Sequence, residues 1–477
     1  MAAGTDTTTA APPDTGTSAA HLGTVGLFIL LIGAFLPMTD FFIVNVALPT
    51  IDRDLDASPG MLQLVVAGYA ITYALLLVVG GRVGDAVGRR RLFMIGMAGF
   101  TVTSLLCGLA PNIDLLVAAR ALQGAASAMM LPQVLSTIQA TTSGHERSRA
   151  LGMFGATGGL ATVTGQLLGG VLVAANIAGT GWRPIFLVNV PVGLLGLAVA
   201  ARTVPDTKSP DPAPVDAIGT VLLGVTVLGL LIPLTEGRSL GWPVWTVVLL
   251  ALSPVAGVAF VVAEGRLERA GGIPLVPLSV VRVHTVRFGL AMAAPFFAGF
   301  GGFMFVYALA LQDGAHFSPL HTGLTLLPMA AGFVVSSLAM PRLVARYERR
   351  VITVGALVQA VGLVSMGVVV LATWPVLPFA AWAVPVFVTG VGQGLVMVPL
   401  FRLILSGVPA RQAGVGSGVL TTTQQASLAI GVAVIGSLYL TLSPAGHLGQ
   451  KWSVVLTLGV LLVVAVVVSV MSRHLRR

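Results

Sequence analysis

The sequence contains few charged residues. Only 9% of its 477 residues are Asp, Glu, Lys or Arg, whereas soluble domains carry about 25%. Hydrophobic residues make up 56% of the chain, and the mean hydropathy is +0.96. This composition excludes a water-soluble globule. The apolar runs are continuous rather than alternating, which favours membrane-spanning helices over a membrane β-barrel.

Cysteines and the usual catalytic signatures are also scarce. The single cysteine, Cys107, excludes an internal disulfide, and its apolar surroundings are typical of a small buried side chain. The loop G-x-x-x-x-G-K-[S/T] of nucleotide-driven pumps does not occur, so the sequence gives no support for ATP-driven transport. We see no metal-ligand cluster and no nucleophile–base arrangement. We therefore expect no enzymatic activity, no metal and no cofactor.

Long apolar runs recur along the chain. A run of about 20 residues is long enough to cross the roughly 30 Å hydrocarbon core as a helix. We predict fourteen transmembrane helices, at residues 24–48, 62–81, 92–110, 113–138, 148–175, 184–202, 216–235, 244–263, 286–311, 320–341, 351–372, 377–401, 413–441 and 452–472.

The basic residues predict how these helices are oriented. Of the 26 Lys and Arg residues, 21 fall in segments on the side of the N-terminus, four fall on the opposite side, and Arg120 lies within a span. Cytoplasmic loops are enriched in Lys and Arg, so this asymmetry places both termini in the cytoplasm. It also explains the net charge of +9 without a nucleic-acid partner. We expect a multi-pass monomer in the lipid bilayer of the cytoplasmic membrane.

Two polar segments divide the chain into regions. The Pro-rich stretch 203–215 and the charged stretch 264–285 leave six spans before them, two between them and six after them. The N-terminal residues have no basic residue, so a secretory signal is not indicated. We predict a disordered cytoplasmic tail at 1–22, a six-helix bundle at 23–202, a linker with an extra hairpin at 203–285, and a second six-helix bundle with a short tail at 286–477.

A carboxylate lies within the first span. Asp40 is the only charged residue between residues 23 and 51. An ionised Asp at the centre of a bilayer costs roughly 2.5–3.5 kcal/mol on insertion scales, so such residues usually face a cavity or a partner. A buried carboxyl group that exchanges a proton is the basic element of a proton-driven transporter. The alternative is a structural pairing with a neighbouring helix.

The loop after span two carries a specific motif. It reads Gly-Gly-Arg-Val-Gly-Asp-Ala-Val-Gly-Arg-Arg-Arg at residues 80–91. This pattern resembles the loop G-x-L-A-D-r-x-G-R-k/r of the major facilitator superfamily. Glycines permit a tight turn between helices, and the acidic residue can cap or face a helix N-terminus. The conformational motif that we predict comprises Gly81, Asp85, Gly88 and Arg89.

Three other segments support the resemblance. Residues 120–124 read Arg-Ala-Leu-Gln-Gly, similar to the embedded R-x-x-q-G motif of the superfamily. Span five carries repeated glycines, similar to the antiporter motif G-x-x-x-G-P-x-x-G-G, although Gln166 stands where the family usually has Pro. Residues 39–49 resemble the motif l-D-x-T-I-V-N-V-A-L-P of the fourteen-span drug:proton antiporter branch, and residues 182–191 show a weaker similarity.

The resemblance implies a fold and a mechanism. The fold is all-α, with two six-helix bundles and two extra helices, and the mechanism is alternating access around a substrate near the midplane. Asp40 and Arg120 are the implied proton-coupling residues, although Arg120 could also be a static hydrogen-bonding hub. The glycines expected to pack the antiporter helix closely are Gly165, Gly169 and Gly170.

Other polar and aromatic residues are candidates for the substrate cavity. For any single one of them, helix packing is the simpler explanation. The candidates are Asn45, Gln123, Gln166, Phe305, Gln312, Gln393 and Gln424.

The function that we predict is proton-coupled export of lipophilic or amphipathic drugs or antibiotic natural products. Its partners are a small lipophilic molecule and protons. Two alternatives stay open: a facilitator or importer of a specific metabolite with the same fold, and a non-transporting membrane sensor or scaffold. Accumulation versus depletion of dye in everted vesicles distinguishes the exporter from the first alternative. Absence of any substrate-dependent proton flux would favour the second alternative.

Overall fold

The computed structural model describes residues 22–209, 214, 216–237, 240–347, 350–408, 413–443 and 446–474. In this part of the chain every regular element is a helix. The prediction of an all-α polytopic protein is therefore confirmed.

The first half of the molecule contains seven helices. Two of them begin at side-chain caps: the Ser58 hydroxyl accepts from Met61 N at 3.2 Å, and the Asn112 side chain accepts from Leu115 N at 2.9 Å. Val188 separates the last two helices, which together form one span. The helices are α1 (Thr24–Leu55), α2 (Pro59–Val87), α3 (Arg89–Gly108), α4 (Ile113–Thr141), α5 (Gly144–Ala175), α6 (Pro184–Leu187) and α7 (Asn189–Thr203), with a 3₁₀ turn at Ile177–Gly179.

A hairpin and the second half follow. The hairpin consists of α8 (Ala217–Glu236) and α9 (Val244–Arg269), and a short helix α10 (Leu278–Arg282) connects it to the second half. The helices of the second half are α11 (His284–Leu309), α12 (Pro319–Thr325), α13 (Leu327–Tyr347), α14 (Arg350–Thr373), α15 (Phe379–Ser406), α16 (Ala413–Leu442) and α17 (Gly446–His474), and α11 continues into a π-helical turn at Ala310–Gly314.

Thirteen helical segments in the described residues are long and apolar enough to cross a membrane. They correspond to every predicted span except the fifth. The fifth predicted span coincides with α5, which has 32 residues. The apolar stretch found in it, Thr164–Ala175, is shorter than the other thirteen. The first helix extends seven residues beyond its predicted end at 48, because the polar residues 52–54 continue its last turns.

The helices pack in two groups joined along two seams. Helices α1 to α5 and α7 pack on one another, and α11 and α13 to α17 form the second group. One seam runs between α2 and α16, and the other joins α5 to α12 and α13. The hairpin pairs α8 with α9 and contacts the first seam through α8. We call the side where α1 begins the near side, and the side where α1 ends the far side.

Candidate functional site

The centre of the first group holds a buried ion pair. Asp40 lies in the middle of α1, and Arg120 lies on α4; both side chains are 0% exposed. Arg120 Nη1 donates to Asp40 Oδ2. Charges this deeply buried are tolerated only when they are paired and hydrogen-bonded, so the two helices fix each other at this point.

Two amides hold the other oxygen of the carboxylate. Asp40 Oδ1 accepts from Asn189 Nδ2 at 2.9 Å and from Gln123 Nε2 at 3.1 Å. The same two nitrogens reach Ser104 Oγ, at 3.3 and 2.8 Å. Helices α4 and α7 therefore meet α1 at one carboxylate, and Ser104 of α3 joins the cluster through the two amides.

The guanidinium of Arg120 has further partners. Its Nε donates to Val65 O at 2.9 Å, and its Nη1 donates to Gln123 Oε1 at 2.7 Å. The ring of Tyr69 lies under it, 4.4 Å from the guanidinium carbon, which is the geometry of a cation–π contact. Nη2 has no hydrogen-bond partner within the described chain. Arg120 therefore connects α2 to the ion pair and retains one unused donor group.

The hydrogen-bond pattern corresponds to one protonation state. Each hydrogen bond that the described residues make to Asp40 has its donor on the neighbour, whether guanidinium or amide. An ionised carboxylate only accepts, whereas a protonated one must also donate. The arrangement is therefore that of the ionised form, and a proton on Asp40 requires a neighbour to offer an acceptor or to move away.

The sequence indicated only part of this cluster. Asp40 and Arg120 lie together, as the resemblance implied. Gln123 was predicted to line the cavity, but its fully buried side chain belongs to the Asp40 cluster, because it lies one helical turn after Arg120. Asn189 and Ser104 were not predicted as site residues. The available signal for Asn189 was a polar residue within the apolar sixth span.

Asn45 does not hydrogen-bond to Asp40. Its Nδ2 donates to the carbonyls of Phe41 and Phe42 in its own helix, at 3.1 and 3.3 Å. The Oδ1 atom is buried without a partner in the described structure. Asn45 thus leaves one acceptor unused, one turn beyond Asp40.

Two predicted cavity residues lie where the two groups of helices meet. Gln312 Nε2 donates to Val46 O at 2.8 Å, which joins the π-helical turn to α1. Gln166 Nε2 reaches Met304 Sδ at 3.6 Å, which joins α5 to α11. Both glutamines are buried, and each Oε1 is without a partner among the described residues. These contacts connect the two groups in the far half of the molecule.

The other three candidates lie within the second group. Phe305 is fully buried in α11, and a Cβ added at Gly436 of α16 would lie 3.0 Å from its ring. Gln393 is buried in α15, and Gln424 is partly buried in α16. Phe305 is therefore a packing residue between α11 and α16.

The predicted antiporter glycines allow close helix contacts. A Cβ at Gly165 would lie 2.7 Å from Thr39 O, and one at Gly169 would lie 2.8 Å from Ile43 O. A Cβ at Gly170 would lie 2.8 Å from Pro319 O, in the second group. Because real Cβ atoms do not approach oxygens so closely, α5 can lie this near α1 and α12 only with glycine at these positions.

The loop motif forms a tight junction between α2 and α3. Asp85 Oδ1 accepts from Arg89 Nη2 at 2.7 Å, and Gly88 between them has φ +118°. A Cβ at Gly81 would make only an ordinary contact. Asp85 lies in the last turn of α2, which continues through Val87, and its bond to Arg89 brings its carboxylate to the N-terminus of α3.

Arg82, which belongs to the same motif and lies in α2, binds both chain segments that connect the hairpin to the rest of the molecule. It is 8% exposed, and its Nη1 donates to Pro214 O at 2.8 Å and to Ile273 O at 3.2 Å. Its Nη2 donates to Pro274 O. The carbonyls come from the segments before α8 and after α9, so one guanidinium fastens the near-side ends of the hairpin to the first group.

Known proteins were compared with the chain. A family model described as the Major Facilitator Superfamily matches residues 30–432. The chain is 37% identical over 443 residues to the probable actinorhodin transporter of Streptomyces coelicolor, which covers 91% of this chain and 75% of that protein. It is 35% identical over 417 residues to the puromycin resistance protein pur8 of Streptomyces alboniger, with 86% and 81% covered.

A third relative and a solved structure agree with these matches. The cephamycin export protein CmcT of Amycolatopsis lactamdurans is 33% identical over 446 residues, with 91% of this chain and 88% of that protein covered. The crystal structure of a peptide transporter POT in complex with sulfate superposes with a TM-score of 0.68 at 15% identity, covering 94% of each chain, and so shows a shared fold. Family model, relatives and fold together show that the chain belongs to the major facilitator superfamily.

Proposed function

We propose that the protein exports a lipophilic or amphipathic small molecule of the antibiotic or drug class across the cytoplasmic membrane, in exchange for protons. The observation that carries this proposal is the buried Asp40–Arg120 ion pair, since an intramembrane carboxylate is by default a functional group. The names of the relatives, which are transport, export and resistance proteins for antibiotics, support the substrate class.

The ion pair links protonation to helix packing. A proton on Asp40 removes the charge that Arg120 neutralises, so the bonds that join α1 to α4 and α7 weaken together. Helix α1 also contacts the second group, through Val46 and through Phe42, whose ring lies 5.8 Å from that of Phe300. A movement of α1 therefore changes the contact between the groups, as alternating access requires.

The packing supports the following architecture for the proposed cycle. The two moving bodies are residues 23–202 and 286–477, the segment 203–285 is an accessory hairpin, and the protein works as a monomer. Both termini and the near side are cytoplasmic. The hydrogen bonds between the groups in the far half support a conformer closed toward the outside. The substrate site lies between the groups, where Gln166 and Gln312 retain unused acceptors.

The driving force is sufficient for export. One proton moving down about 100 mV supplies about 2.3 kcal/mol. At 1.36 kcal/mol for each factor of ten, this supports about a 50-fold gradient of an uncharged substrate, before any pH gradient is added.

The test is transport in everted vesicles whose lumen is acidified. A lipophilic fluorescent dye should accumulate in vesicles that contain the wild-type protein. Vesicles with Asp40→Asn should lose this accumulation, whereas Asp114→Asn, an exposed acid at the start of α4, should keep it. Depletion of dye from the vesicles would indicate an importer. If no compound in a broad lipophilic panel changed proton flux, a sensor or scaffold would replace the proposed transporter.

A further inference from the structure

We infer that Asn189 is a positioning residue for the proton step. Its amide donates a hydrogen bond to the ionised Asp40, and it turns over to accept a hydrogen bond from Asp40 when that carboxyl group is protonated. This inference rests on the proposed proton coupling at Asp40. It assigns to the start of α7 a part in setting how tightly the proton is bound.

Asn189 is held in place by its own helix. It is the first residue of α7, directly after Val188, and it is 4% exposed. One and two turns later, Gly193 and Gly196 face α3, and a Cβ at Gly196 would lie 2.7 Å from Met97 Sδ. Because this close packing fixes α7 against α3, the Asn189 amide has a defined position beside Asp40 and Ser104.

The hydrogen bonds distinguish Asn189 from the other amide. Gln123 is engaged at both ends: its Nε2 donates to Asp40, and its Oε1 accepts from Arg120. Turning the Gln123 amide would place its NH₂ group against the guanidinium, donor against donor. Both hydrogen bonds that the described structure gives Asn189 use Nδ2. Turning this amide would bring Oδ1 to the carboxyl group, where it can accept the hydrogen bond that a protonated Asp40 must donate.

The remaining titratable groups around Asp40 do not offer this acceptor. Arg120 of α4 is a donor only. The hydroxyl of Tyr69 of α2 lies 3.0 Å from Pro37 O and 2.8 Å from Ser127 Oγ, and its single proton is directed to these two oxygens rather than to Asp40. Cys107 of α3 is directed to Gln123 at 3.7 Å. Helix α5 has no titratable residue between positions 150 and 175, and α11 has none between positions 288 and 306. Gly165 of α5 and Phe300 of α11 contact α1 close to Asp40.

The expected effect can be stated as a shift in pH dependence. A donor to an ionised carboxylate stabilises it more than an acceptor stabilises the neutral form, because hydrogen bonds to charged groups are roughly twice as strong. Removal of the amide should therefore favour the protonated form. We expect the pH at which substrate binding is half-maximal to rise by about 1 unit, which corresponds to about 1.4 kcal/mol.

The experiment measures equilibrium binding of a fluorescent lipophilic dye to the purified full-length protein between pH 5 and about pH 9. The variant Asn189→Leu should raise the midpoint by about 1 unit, and Asn189→Gln, which retains an amide, should return it toward the wild-type value. Asn189→Ser, too short to replace the bond, should behave as Leu does and carries the test if the Leu variant does not fold. The control is Gln63→Leu, since this amide is equally buried but bonds to Ser437 of α16.

The outcomes separate this inference from the proposed function. A midpoint that stays within about 0.3 unit in both Asn189→Leu and Asn189→Ser overturns the role of Asn189, provided that Asp40→Asn abolishes the pH dependence. If Asp40→Asn itself keeps the wild-type pH dependence, the proton site lies elsewhere, and the proposed function fails in that part together with the inference.

Discussion

The buried ion pair predicts a strong non-additivity between two substitutions. Asp40→Asn alone leaves the Arg120 guanidinium fully buried without a counter-ion, and Arg120→Met alone leaves the Asp40 carboxylate with two amide donors but no cation. The double variant contains neither charge. It should therefore be more stable than either single variant, although it carries both changes.

The expected losses of stability follow from the typical cost of leaving a buried charge unpaired. Removing one partner of a buried ion pair typically costs about 3–5 kcal/mol, because an uncompensated charge remains in the interior. Replacing both partners by uncharged groups of similar size is often close to neutral. In the double variant Gln123 Oε1 has lost Arg120 as its donor, while the amides at positions 40 and 123 are adjacent and can hydrogen-bond to each other. We expect each single variant to lose about 3–5 kcal/mol and the double variant to lose about 1–2 kcal/mol.

The assay is thermal unfolding of purified protein in detergent, followed by intrinsic tryptophan fluorescence. The order of apparent melting temperatures should be wild type, then double variant, then the two single variants. Transport separates stability from coupling, because the double variant should fold but should not accumulate dye against a gradient. Additive losses in the double variant would refute the reasoning, since they would mean that the two charges do not stabilise each other.

Three further predictions concern the loop and the glycines. Arg82→Gln should lower the free energy of unfolding by about 2–3 kcal/mol, because charged hydrogen bonds to three carbonyls are lost. Arg90→Gln should change it by less than about 1 kcal/mol in the same melting assay, because its ion pair with Asp206, at 3.6 Å, is partly exposed to solvent. Asp85→Asn should slow turnover while dye affinity stays within a few-fold, since the residue lies at the near-side end of α2, away from the proposed substrate site. Binding that collapses while turnover is unchanged would contradict this. Gly165→Ala should cost about 1–3 kcal/mol through overpacking and reduce dye accumulation. Gly68→Ala, whose added Cβ would meet open space, should be silent. Equal effects of the two substitutions would exclude packing of α5 on α1 as the cause.

The fold was predictable because the membrane imposes a simple requirement on the backbone. A spanning segment must satisfy its own peptide groups, so length and apolarity alone located nearly every helix. The ends of the helices were less predictable. Helix α1 continues through Asp52 to Leu55, and hydropathy does not distinguish polar residues that extend a helix into the interface from those that follow it.

The sequence identified the site residues that are rare inside membrane spans. It did not identify those whose role depends on which helices pack together. Asp40 and Arg120 are conspicuous because charges inside apolar runs are costly, so each must be explained. Asn189 and Ser104 cost less to bury, and their importance arises only when α7 brings Asn189 to the Asp40 carboxylate and α3 brings Ser104 to the Asn189 amide. Gln123 was selected from the sequence as a cavity candidate, but its contact with Asp40 was not predicted, since spacing along α4 does not show which neighbouring helix its face meets.

Arg82 illustrates the same limit at the membrane surface. In the sequence it is one of several arginines in a near-side loop, and the positive-inside rule fully accounts for its presence. Its burial and its three carbonyl partners follow only from the return of the chain 130 to 190 residues later. The opposite end of α8 contacts the second group, where Ser437 donates to Leu234 O at 3.3 Å. The hairpin is thus fastened to the first group at its near-side end and bonded to the second group in its far half. The proposed alternating-access cycle therefore requires the hairpin to bend or slide.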